Sequence, residues 1–152
     1  MRRKEKEITQ KSEIEAVIRK SNVCRLGLSD GEMPYIVPLC FGYKDEVIYL
    51  HSALEGKKID ILQKNQNVCF EFDVDVELKK SDKPCSWGMN FQSVIGFGKA
   101  SFVEDFKDKQ DALNIIMGQY SDGSFEFSQS AINAIAVIKI EIISMTGKRS
   151  GV

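Results

Sequence analysis

The segment with the most chemical content is His51-Ser52-Ala53-Leu54-Glu55-Gly56-Lys57-Lys58-Ile59-Asp60. It runs from a strand pattern through a turn of small residues into a helix pattern, and it puts two lysines in the first helical turn. The helix macrodipole disfavours cations there. An anion seated against the helix N-terminus reconciles the conflict, because free backbone amides and both ammonium groups converge on one phosphate. Two solvated lysines that tolerate a small, salt-screened penalty are the plain alternative. His51 is the single histidine of the chain. Strand parity sets Val47, Tyr49 and His51 on one face and Ile48, Leu50 and Ser52 on the other. If the Ile48/Leu50 face fills the core, His51 points outward beside the anion position, where an imidazole can donate a proton near neutral pH. An ordinary surface histidine reads the same way.

Two further segments draw attention. In Val94-Ile95-Gly96-Phe97-Gly98-Lys99-Ala100 one strand face carries Val94, Gly96, Gly98 and Ala100 and is nearly bare of side chains. That suggests close approach by a second subunit, a flat ligand or another backbone, or else a bent strand at a barrel corner. Trp87 either stacks on an aromatic ligand or caps the core. The acidic row Glu71, Asp73, Asp75, Glu77 reads as a solvated polar face, and Lys148-Arg149 as a tail or an anion contact.

The elements that must position these residues follow from patterning. Ser12-Glu13-Ile14-Glu15 has the form of a capping box, with Ile14, Val17 and Ile18 at helical spacing up to about Lys20. Strand signals cover Val23–Leu28, Tyr35–Tyr43 with an interruption at Pro38, and Val47–Ser52. Val68 to Leu78 alternates strictly, with Val68, Phe70, Phe72, Val74, Val76 and Leu78 on one face. A short helix over 57–65 precedes it. A strand over 91–104, a helix over 109–120 and a strand over 135–143 complete the chain. The connections are too short for a parallel sheet, so the pattern predicts an α+β, mainly β fold, built on an antiparallel barrel.

With 152 residues, 43% hydrophobic and 28% charged, the chain suits one globular domain over 1–152. A net charge of −1 gives no bulk attraction to nucleic acid. No apolar run reaches the length of a membrane span, and the start Met1-Arg2-Arg3-Lys4-Glu5-Lys6-Glu7 lacks a signal segment, so a cytoplasmic location is expected. Four cysteines without a C-x-x-C pair, and one histidine, do not make a zinc set; three of the four lie in apolar runs, where reduced, buried thiols are expected. No phosphate loop, dinucleotide fingerprint, nucleophile elbow or H-E-x-x-H motif occurs.

Taken in order, Met1-Arg2-Arg3-Lys4 with Ile8-Thr9, Val23-Cys24-Arg25-Leu26, Pro34-Tyr35-Ile36-Val37-Pro38-Leu39 with Phe41-Gly42-Tyr43, Tyr49-Leu50-His51-Ser52-Ala53 with Gly56-Lys57-Lys58, Trp87-Gly88-Met89, Ser93-Val94-Ile95-Gly96-Phe97-Gly98 and Thr146-Gly147-Lys148-Arg149 resemble the FMN-binding split-barrel family related to pyridoxamine 5'-phosphate oxidase. The nearest branch is the one named for 5-nitroimidazole resistance. The resemblance implies a six-stranded antiparallel split barrel with a few short peripheral helices, paired as a homodimer with two FMN molecules in clefts between subunits. It implies that Lys57 and Lys58 hold the FMN phosphate and that Val37, Pro38 and Leu39 run beside the isoalloxazine. His51, Ser52 and Ala53 would line the ribityl and phosphate side, with Trp87, Gln92 and Ser93 approaching from the neighbouring subunit or the cleft wall. The glycine face of the Val94 strand would then serve dimer packing. The family often carries Arg where this chain has Gln92, which removes a charge from that contact. The implied activity is reduction of a small, flat, electron-poor molecule, nitroimidazoles and nitroaromatics among them, with His51 as proton donor or substrate hydrogen-bonder. A non-catalytic module for flavin, haem or deazaflavin is the alternative, and the C-terminal substrate residues of the longer oxidases are missing here.

Overall fold

Alternation of apolar and polar residues commits nearly half of the chain to strands, and the computed structural model, which describes residues 3–151, contains eight of them. Met1 and Arg2 of the N-terminal motif lie outside the described residues, as does Val152. In chain order the elements are β1 (Glu7–Ile8), α1 (Lys11–Lys20), β2 (Cys24–Ser29), β3 (Pro34–Leu39), β4 (Phe41–Lys44), β5 (Val47–Ala53), α2 (Lys57–Lys64), β6 (Asn67–Lys79), β7 (Gly88–Val103), α3 (Phe106–Gly118), α4 (Gln129–Asn133) and β8 (Ile135–Ser150).

All strand pairs are antiparallel, in the order β3-β2-β6-β7-β8-β5-β4, with β1 added alongside β8. The hydrogen-bonded ladder is open, with β3 and β4 as its end strands. Yet Cys40 alone separates those two strands in the chain, so the sheet curls until its two edges meet at that residue. This is a split barrel, α+β and mainly β. It has eight strands where the pattern counted six, because the Tyr35–Tyr43 run divides at Cys40 and β1 adds a short pair. The division does not fall at Pro38. That residue stays inside β3 opposite Arg25, on an edge strand, where a proline is tolerated.

The barrel is filled by Leu26, Phe41, Ile48, Leu50, Phe70, Phe72, Ile138 and Ile140, all fully buried, with the Phe41 and Phe72 rings 4.7 Å apart. A smaller cluster of Ala112, Leu113, Ile116, Ile132 and Val137 lies under α3 and α4. The Ile48/Leu50 face points inward as strand parity requires, and His51 points out.

Four expectations are corrected. The glycine face of β7 lies inside the barrel: Val94 and Ala100 are buried, a Cβ on Gly96 would fall on the Phe70 ring, and one on Gly98 would stand 2.6 Å from Ile140 Cγ2. Those glycines make room for large core side chains and for the close β8 backbone, the Ser144 carbonyl at Gly96 and the Glu141 carbonyl at Gly98, and not for a second subunit; the opposite face, with Ile95 and Phe97, is the exposed one. In β6 the buried alternation stops at Val74, because a bulge between Val74 and Glu77 turns Val76 and Leu78 out to solvent. The capping box does not form, since α1 starts at Lys11 without a side-chain cap and Glu15 accepts instead from the Tyr43 hydroxyl. Of the cysteines, only Cys24 is buried; Cys69 is half-buried, and Cys40 and Cys85 are exposed.

Candidate functional site

β5 leads through a short turn into α2, and β3 meets them at two points: its end runs through Cys40 into β4, which pairs with β5, and Tyr35 near its start lies against Lys57. Pairing of Leu26 with Val37 and of Cys24 with Leu39 turns the Val37 and Leu39 side chains toward the core, half-buried, and leaves Pro38 exposed. Phe41 pairs with Leu50, so the last turn of β5 lies next to the Cys40 junction where β3 ends. From there His51 and Ala53 are exposed and Ser52 is half-buried. Among the described residues the His51 imidazole has no hydrogen-bond partner.

After Ala53 the chain turns through Leu54-Glu55-Gly56 into α2. Gly56 sits at φ +126°, a backbone state that only glycine adopts without strain, and no side chain caps the first amides of the helix. Lys57 Nζ lies 4.7 Å from the centroid of the Tyr35 ring, which ties the helix start to β3. Lys58 is half-buried, and burial pushes its ammonium below the ordinary lysine range. Among the described residues neither lysine makes an ion pair. Uncapped amides, a desolvated cation without an ion-pair partner and a second cation held beside it are the chemistry that could hold an anion.

The other predicted residues lie elsewhere. Gln92 pairs with Val74 on β6 and Arg149 on β8, and Ser93 with Asp73 and Lys148. By the sheet register Tyr35 is level with Gly98, six residues or about 20 Å along the strand from Gln92, whereas Leu39 is level with about Val94, so what separates Leu39 from Ser93 and Gln92 is the width of β2 and β6 between β3 and β7. Gln92 Nε2 donates to Asp75 Oδ2 at 2.8 Å, and Asp75 Oδ1 receives Lys20 Nζ at 2.5 Å. Trp87 is neither core nor stacked on another ring. It is 49% exposed, and its Nε1–H donates to the Ser81 carbonyl at 2.6 Å. Within one chain, then, the site residues form two groups.

Among the described residues the main hollows do not gather them. A depression of about 370 Å³ lies between Tyr49, Phe102, Glu104, Asp108 and Ile115, and a smaller one between Leu54, Ile59, Gln63 and Val137; neither is lined by Val37, His51, Lys57, Lys58 or Gln92. What the sheet does present is an outward stripe. Ile36 of β3 faces Gly27, Gly27 faces Cys69, and Cys69 faces Phe97 in one row across four strands, with Ile95 beside it. Ile36 is 68%, Phe97 56% and Ile95 47% exposed, which is unusual for aligned side chains of this size on a sheet exterior.

Sequence reasoning missed three residues of this arrangement. Tyr35 supports Lys57, and Asp75 and Lys20 hold Gln92. Tyr35 stood in a quoted motif, but its partner on α2 is fixed by tertiary packing. Asp75 was absorbed into the acidic row, and nothing in the one-dimensional pattern announces its left-handed backbone at φ +55°.

Comparison with known proteins gives the following. Residues 10–149 match the family model described as pyridoxamine 5'-phosphate oxidase. The structure is similar to that of a candidate 5-nitroimidazole antibiotic resistance protein from Bacteroides thetaiotaomicron, at 40% identity and a TM-score of 0.84, covering 93% of this chain and 85% of that one. It is also similar to a flavocytochrome from Azotobacter vinelandii, at 18% identity and a TM-score of 0.88 over 100% of this chain and 72% of that one. A FAD and haem binding protein from Mycobacterium smegmatis matches at 13% identity and a TM-score of 0.87, over 97% and 74%. These last two likenesses establish the fold. No curated protein matches the chain. Among the described residues, no helix is long and apolar enough to cross a membrane.

Proposed function

The chain belongs to the pyridoxamine 5'-phosphate oxidase family, and on that premise we propose that it is an FMN-binding flavoprotein, homodimeric and cytoplasmic, that reduces small, flat, electron-poor molecules such as nitroimidazoles and nitroaromatics. The observation that carries the proposal is the start of α2. Lys58 is desolvated and unpaired, Lys57 is held by Tyr35, and the first amides lack a cap; a phosphate monoester dianion satisfies all three at once. That favours FMN, whose phosphate is terminal.

Around that anchor Val37, Pro38 and Leu39 flank the ring system, and His51, Ser52 and Ala53 the ribityl chain. Trp87, Gln92 and Ser93 stand on or just before β7, with β2 and β6 between them and β3, so in this reading a second copy brings them to the cleft. The exposed stripe of Ile36, Ile95 and Phe97 supplies an apolar face for that pairing. Bound flavin supplies the electrons of the reduction. The chain's own part is to hold the phosphate, to exclude water from the ring and to offer a proton from the exposed His51 imidazole. Exposed, free Cys40 and Cys85 fit a reducing compartment.

The test is the visible absorption spectrum of protein purified without added cofactor, taken again after incubation with FMN and desalting, followed by reduction of a nitroaromatic panel with reduced nicotinamide as donor. The expected result is a retained flavin spectrum at one FMN per chain, together with turnover. A protein that stays colourless overturns the flavin reading. Retained flavin without turnover on any of the panel leaves a binding module and overturns the reductase.

A further inference from the structure

Gln92 is held from one side, and chemistry fixes which way round it is held. An ionised carboxylate only accepts hydrogen bonds, so the NH2 side of the Gln92 carboxamide must face Asp75 and its Oε1 must face away. Asp75 stays ionised, because Lys20 and then Gln92 itself hold its carboxyl below the ordinary range. The aspartate reaches this position through an irregularity of β6. The register slips between Val74 and Glu77, and Asp75 takes up φ +55°, so its side chain leaves the regular strand alternation and lies between Lys20 of α1 and Gln92 of β7. The strand pairs Gln92–Val74 and Gln92–Arg149 fix the backbone from which that carboxamide projects.

We propose that Asp75 is a positioning residue that makes Gln92 an outward hydrogen-bond acceptor, and that the chain thereby selects small ligands offering an N–H or O–H donor at that point. The inference rests on the reading above, in which Gln92 stands at the flavin cleft. An arginine at this position would offer donors only and the opposite selectivity. A nitro group accepts only, so the part of a nitroimidazole that Gln92 recognises is a ring N–H and not the nitro oxygens.

The experiment measures binding of two ligands to flavin-loaded protein, by perturbation of the flavin absorption band: a 5-nitroimidazole with a free ring N–H and its N-methyl counterpart. The expected preference for the N–H form is roughly 5- to 10-fold, the worth of one hydrogen bond between neutral groups. Asp75→Gly removes the carboxylate at a backbone conformation that suits glycine, and Gln92→Leu removes the acceptor. Both bring the ratio to about 1 within the flavin-loaded fraction, whose occupancy the same absorption band reads for each variant. A ratio near unity in the unsubstituted protein, or one unchanged by Asp75→Gly, overturns the inference. Protein that takes up no flavin overturns the cofactor reading itself.

Discussion

Helices α2 and α3 both lie on the barrel with an apolar face inward, Ile59, Ile61 and Leu62 on one and Ala112, Leu113 and Ile116 on the other. Their N-termini are built in opposite ways. Asp105 caps α3, accepting from the amides of Lys107 at 3.0 Å and Asp108 at 3.1 Å, and Asp108 adds a second negative charge in the first turn. Each of those choices agrees with the macrodipole. At α2 the capping position is Gly56, no side chain reaches the amides, and Lys57 and Lys58 occupy the first two positions, with Asp60 following. Each lysine there costs roughly 0.3–1 kcal/mol less what water screens. One helix is finished by its own chain. The other keeps two cations and uncapped amides at its positive end, with Asp60 as the acidic residue of its first turn, and it is on this difference that the proposed phosphate contact rests.

The largest effect that follows concerns this end alone. Replacing both lysines, Lys57→Gln with Lys58→Gln, should weaken FMN binding by about 100-fold, since each charge-assisted contact is worth about 1.5 kcal/mol or more. Riboflavin, which lacks the phosphate, should bind the variant and the unsubstituted protein alike. Fluorescence titration with the two flavins checks this. An equal loss for both would place the lysines away from the phosphate and dissolve the contrast between the two helix ends.

The contrast was half legible in the sequence. The conflict of two lysines with a helix start could be read from Gly56-Lys57-Lys58 directly, because the small-residue turn and the Ile59/Leu62 spacing fix where the helix begins. The cap of α3 was not read, and the helix was expected over 109–120 when Asp105 starts it at Phe106. Conversely, Ser12-Glu13-Ile14-Glu15 has the form of a cap and is not one, since Glu15 is drawn to the Tyr43 hydroxyl across the barrel. Period-two alternation located β6 well, but not the bulge at Asp75 where its buried face ends, because a slip of register leaves no mark on the alternation itself. Gly96 and Gly98 were legible as a space and not as a direction. Whether a bare strand face admits a neighbour or a core ring depends on which side the sheet curls toward, and Phe70 settles that only once β6 lies beside β7. The site residues on β3, β5 and α2 came together because the chain is nearly continuous through them. Trp87, Gln92 and Ser93 did not, since spacing along a sequence says nothing of distance across four strands.

The second prediction tests the completed helix. Asp105→Ala removes the acceptor for two amides and should destabilise the protein by about 1–2 kcal/mol in urea unfolding. FMN affinity should be unchanged, because α3 contributes to the small cluster with Ile132 and Val137 and to none of the proposed flavin contacts. A loss of flavin affinity comparable to that of the double lysine variant would mean that the two helix ends are coupled through the barrel.

The smallest effect is the one that separates the two ends most sharply, because it has opposite signs without and with the ligand. Burial lowers the Lys58 pKa from its usual 10.5, so in the interval between the folded value and 10.5 the unfolded chain binds more protons than the folded one. Stability contributed by this group therefore rises with pH through that interval, and below it the full cost of a charged, unpaired ammonium is present. Lys58→Met removes the cost. Without ligand at neutral pH the variant should be more stable than the unsubstituted protein, by about a few tenths of a kcal/mol since water still screens the ammonium, and the difference should shrink as pH approaches 10.5. Saturating FMN should reverse the order, because the phosphate stabilises only the protein that retains the charge. At α3 no such reversal is available: Asp105→Ala destabilises in both conditions. Urea unfolding of both variants, each with and without FMN, decides it. If Lys58→Met is the less stable form even without ligand, the ammonium already has its partner within the chain, and the end of α2 is as complete as that of α3.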